Sequence, residues 1–87
     1  MTKRHKTDAM IRANDLFCNT PTNQLPKLAL AYMRKMSLIY GACSEVALTA
    51  IAHYVQLEEG LPCKNPLYRP KKKDKALFAE VKASLAN

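Results

Sequence analysis

The stretch GACSEVALTAIAHYVQLEEG, Gly41 to Gly60, decides how this chain is read. Ser44-Glu45 has the composition of a helix start, and Gly60 followed by Pro62 has that of a stop. Between them, Val46, Ala47, Leu48, Ala50, Ile51, Ala52, Tyr54, Val55 and Leu57 occupy most of the helical circumference. Only Glu45, Thr49, His53 and Gln56 form a polar stripe. A helix so apolar must be covered on several sides. A chain of 87 residues has few elements to do this, and small domains often take their cover from a second subunit. The expectation is a homodimer with a shared core.

Outward from this helix, Leu25 to Tyr40 predicts a first strong helix, with Pro26 in its first turn and Gly41 closing it. Ala29, Met33, Met36 and Tyr40 follow the 3.6-residue period. Cys18 to Gln24 is polar, carries Pro21, and reads either as a loop or as a short exposed strand. Thr7 is placed to cap a short helix running to Phe17. Leu61 to Pro70 is a proline-rich connector, Lys71 to Lys75 a basic run, and Leu77, Phe78, Val81 and Leu85 a last amphipathic helix. The organisation is one domain in three parts: a basic arm and short helix (1–18), a core (19–60), and a connector, basic run and C-terminal helix (61–87).

The net charge is +7, and its excess lies at the ends. Lys3, Arg4 and Lys6 form an arm, while Lys64, Arg69, Lys71, Lys72, Lys73 and Lys75 follow the neutral middle. Basic flanks around an apolar core suit a polyanionic partner. The three cysteines, Cys18, Cys43 and Cys63, are an odd number and widely spaced without a CxxC pair, and no secretory leader or membrane span is apparent, so a reducing cytoplasmic setting is expected. His5 and His53 form no HxxxH or HExxH pair, and no glycine-rich phosphate loop occurs. Neither an enzyme site, nor a metal, nor a cofactor is expected.

A helix-turn-helix is conceivable around Gly41, but a reading head needs Arg, Lys, Asn or Gln aimed at base edges, and the second helix offers an acidic start, small apolar residues and Glu58-Glu59 at its end. The pattern Ser44-Glu45-Val46, followed by Ala50, Ile51, Tyr54 and Val55, instead resembles the second helix of the ribbon-helix-helix family of Arc and MetJ repressors. The likeness extends over roughly residues 19–57. It implies a mainly α fold with one short N-terminal strand, Thr20 to Leu25, pairing across a homodimer, with flanking helices at both ends. It also implies that Thr20, Thr22 and Gln24 contact bases of double-stranded DNA in the major groove. Lys27 and the backbone at Cys43 and Ser44 would hold phosphates, joined by Lys3, Arg4, Lys6, Lys71, Lys72 and Lys73. Leu25, Met33, Met36, Val46, Ala50, Ile51 and Tyr54 would form the dimer core. The expected function is a sequence-specific transcriptional regulator, or a plasmid- or phage-type DNA accessory protein, acting as a homodimer, with higher-order assembly on DNA left open. The alternatives are a helical protein-interaction module, such as an inhibitor or adaptor, and an RNA-binding protein using the same basic ends.

Overall fold

A computed structural model describes residues 8–86. It contains four α-helices among these residues: α1 (Asp8–Asn19), α2 (Lys27–Tyr40), α3 (Ser44–Tyr54) and α4 (Lys72–Ala86). The centre of the molecule is α3. It packs most extensively on α2 and also on α1, while α4 lies against α2. None of these helices is long and apolar enough to cross a membrane.

This arrangement explains the apolar circumference of α3 without a second chain. Ala50, Ile51, Ala52 and Val55 are all 0% exposed within one subunit. Ala9, Ala13 and Leu16 from α1, and Ala29, Tyr32 and Met36 from α2, belong to the same core. Phe78 and Val81 of α4 complete it, and Phe78 meets Tyr32 edge-on with ring centroids 5.1 Å apart. Of the residues assigned to a dimer core, Leu25, Met36, Ala50, Ile51 and Tyr54 are already buried in the single chain, and Met33 and Val46 are half-buried.

The expected ribbon is not formed. No strand occurs among the described residues, so the ribbon-helix-helix reading of the fold is corrected to a four-helix arrangement. Thr22–Gln24 is a 3₁₀ turn between α1 and α2. Pro21, at φ −59° and ψ 145°, leads into it. Gln24 N–H donates to the Pro21 carbonyl at 2.8 Å, and Leu25 N–H to the Thr22 carbonyl at 3.2 Å. These local bonds use donors that a strand would offer to its partner. Leu25 then drops into the core and draws the chain directly into α2.

The turn between α2 and α3 is short. Gly41 adopts φ 98° and ψ 153°, a region essentially reserved for glycine, and donates its N–H to the Ser37 carbonyl at 2.9 Å. Cys43 precedes α3 in extended conformation. At its other end α3 widens into a π-helical turn, Val55–Glu59, which stops at Gly60 in the left-handed region (φ 77°, ψ 14°). The two carboxylates of that turn engage different helices. Glu59 accepts from Arg12 of α1 at 3.1 and 3.3 Å, and Glu58 accepts from Lys82 of α4 at 2.8 Å. The connector also supports α1, because Ala9 N–H donates to the Pro62 carbonyl at 3.2 Å.

Because the cover over α3 comes from its own chain, Ile51→Val is expected to lower stability by about 0.5–1.5 kcal/mol. Urea denaturation should give the same loss at low and high protein concentration. A midpoint that moves with concentration would place part of that cover on a second copy.

Candidate nucleic-acid interface

The polar stripe on α3 has a definite destination. Glu45, Thr49 and His53 line a cleft of about 370 Å³, closed on one side by Met36 and Tyr40 of α2. The other side is the connector and the start of α4, with Leu67, Tyr68, Arg69, Lys71, Lys73 and Asp74. Asn65 shapes this wall: its side-chain oxygen accepts from Leu67 N–H at 3.0 Å and starts the 3₁₀ turn Pro66–Tyr68. Along the floor, Thr49 donates its hydroxyl to the Glu45 carbonyl at 2.8 Å.

Behind the floor lies a polar cluster buried by three helices. The Tyr32 hydroxyl is 2.8 Å from His53 Nδ1 and 3.3 Å from the Asp74 carbonyl oxygen. A carbonyl only accepts, and the hydroxyl has one proton. Both contacts are hydrogen bonds at once only if His53 carries a proton on Nδ1 and donates it to Tyr32, which donates onward to the Asp74 carbonyl. Burial, with a smaller effect from Asp74, raises the Tyr32 phenol well above its usual range, so it remains a donor. Burial lowers the His53 pKa, partly offset by Asp74, and favours the neutral ring. The Asp74 carboxylate has a separate duty. It accepts from Lys71 N–H at 3.0 Å, satisfying a donor at the opening of α4.

The expected phosphate contacts therefore meet only in part. Lys71, Lys72 and Lys73 are exposed at the start of α4, and Lys71 and Lys73 share the cleft rim with Arg69. The basic run thus belongs to the helix it was expected to precede. Cys43 and Ser44 are exposed at the start of α3, and neighbouring Glu45 is on the cleft. Lys27 is exposed in the first turn of α2 and is not part of the cleft. Thr22 and Gln24 are exposed and Thr20 is half-buried around the 3₁₀ turn; without a ribbon they share no alternating outward face. Lys3, Arg4 and Lys6 lie outside the described residues.

Sequence reasoning placed His53 on the polar stripe without a role, whereas it is 2% exposed, and it gave no role to Tyr32 or Tyr68. The available signal was the stripe itself, because i, i+4, i+8 spacing of Glu45, Thr49 and His53 marks a single line along a helix. No protein family, curated protein or solved structure matches the chain.

The buried imidazole has a pH consequence. Its folded pKa is lowered from 6.5, so on acidification the unfolded chain takes up the proton first. The stability contribution is complete above that value and is lost as pH falls from about 6.5 toward the folded pKa. Urea midpoints at successive pH values should therefore decline across this window. In His53→Gln the decline should be shallower; an identical slope would show that His53 does not control it.

Proposed function

We propose that this protein binds nucleic acid through its phosphates, using the connector and the opening turn of α4. The observation that carries the reading is charge without compensation. Lys64, Arg69, Lys71, Lys72, Lys73 and Lys75 are all exposed. Among the described residues, the ion pairs join Arg12 to Asp15 and Glu59, and Lys82 to Glu58. None involves the basic segment, and the nearby acid, Asp74, is committed to the backbone of Lys71.

The placement is also electrostatically uphill. A helix N-terminus carries partial positive charge and favours acidic residues. Here Lys71, Lys72 and Lys73 gather around that end with Asp74 alone among them. An incoming phosphate relieves this repulsion and meets both side-chain cations and the positive end of the helix. Such contacts position a backbone and carry no sequence information. A sequence-specific role in transcription would need a base-reading element additional to this segment, and the proposal requires only one subunit.

A protein-interaction role has its own support. Leu38 is 82% exposed, and Leu38 and Leu85 line a groove between α2 and α4. Exposed apolar residues grouped in this way suit a protein partner.

The two readings separate on salt dependence. Binding of the full chain to a labelled oligonucleotide should weaken steeply with salt. The double substitution Lys72→Gln, Lys73→Gln should weaken it by a similar factor on unrelated sequences. The slope of log affinity against log salt should fall by about 0.9 per lost contact on duplex, or about 0.7 on a single strand. Salt-independent affinity, or none at low salt, would defeat the nucleic-acid reading.

A further inference from the structure

Building on the phosphate-binding role of the basic segment, we infer that the cleft between α2, α3 and the connector receives one unstacked base, making the protein selective for single-stranded nucleic acid. Three features of the cleft argue for this ligand. The first is its apolar and aromatic lining, which includes Tyr40, Val46, Leu67 and Tyr68. Flat aromatic and aliphatic faces hold a base by stacking and packing, whatever its sequence.

The second feature is the division of charge. Arg69, Lys71 and Lys73 lie on the connector and α4 side, where a phosphate attached to the base is held. Glu45 lies on the α3 side, forms no ion pair among the described residues, and presents a carboxylate to exocyclic amino groups. A nucleotide supplies both halves of this match: an anion for the cations and N–H donors for the Glu45 carboxylate.

The third feature is size. A cleft of about 370 Å³ is at the small end of ligand sites. It is large enough to admit one base. In a duplex the bases are stacked and paired, and extruding one costs a few kcal/mol. In a single strand that opposition is largely absent. Duplex therefore reaches the basic segment while its bases stay out of the cleft.

The test compares the full chain on a labelled single strand and on a hairpin duplex of equal phosphate number, by fluorescence anisotropy at fixed salt. The single strand is expected to bind tighter. Tyr40→Ala and Leu67→Ala should each weaken single-strand binding, by about tenfold for the tyrosine, while leaving duplex affinity and its salt slope unchanged. Both residues are substantially exposed, so the variants are expected to remain folded, which circular dichroism checks. Adenosine monophosphate titrated alone identifies the source of the nucleotide: weak binding is expected, because it engages the rim through a single phosphate. Equal affinity for strand and duplex, with both variants silent, overturns base capture and leaves the phosphate reading standing. Tight mononucleotide binding without a preference for single strands overturns the polymer as ligand. Failure of strand and duplex alike to bind at low salt overturns both proposals.

Discussion

One hydroxyl group fastens this fold. Tyr32 on α2 reaches His53 on α3 and the Asp74 carbonyl on α4, so three helices converge on a single buried oxygen. Its ring also meets Phe78, which anchors α4 to the same point from its apolar side. Buried polar groups are costly when unmatched, and a shared hydrogen-bonded cluster tolerates few alternative packings. Local helix propensity leaves open where α4 sits; the hydroxyl supplies the constraint. The same constraint fixes the wall of the cleft, because Asp74 is both a member of the cluster and the residue that holds the first turn of α4.

The charge distribution follows from that geometry. Docking α4 through Tyr32 brings Lys71 and Lys73 to the cleft rim beside Arg69. Elsewhere Glu58 and Glu59 are occupied by Lys82 and Arg12. Exposed pairs of this kind add little to stability, about 0–1 kcal/mol each. Their larger effect is to match acids with bases away from the cleft while the connector's cations remain unmatched.

The helices were legible because their punctuation is strong. Gly41 and the Ser44-Glu45 start delimit α2 and α3, and Gly60 marks where the second helical run stops. The apolar surplus of α3 was visible too, but its explanation was not. Periodicity shows that a helix is covered and leaves unspecified whether the cover is its own chain or another; α1, with Ala9, Ala13 and Leu16, supplies much of it here. The segment Thr20–Leu25 misled for a related reason. Alternating Thr, Thr and Gln suits a strand, yet a strand needs a partner, whereas Pro21 and Gln24 close a turn with each other. The cleft was half legible. Its floor was written as the polar stripe, but its opposite wall comes from Leu67 to Asp74, far along the chain, and no local pattern links the two. His53 was misjudged because a polar residue on a stripe is ordinarily solvated, and its partner Tyr32 is 21 residues away.

The π-helical turn at Val55–Glu59 gives the second half of the molecule its heading. A π turn accommodates an extra residue relative to the regular helix. Shortening the chain there by one position would restore the ordinary winding and swing everything downstream by roughly 100°. Glu58 and Glu59 would then face away from the two helices they now join, and the connector would leave along another course. Composition and hydrophobic pattern would be almost unaltered by such a deletion, yet the architecture would be lost. The protein's tolerance of change is thus uneven: exchanges of side chain in this turn are mild perturbations, whereas a change of length is a change of direction.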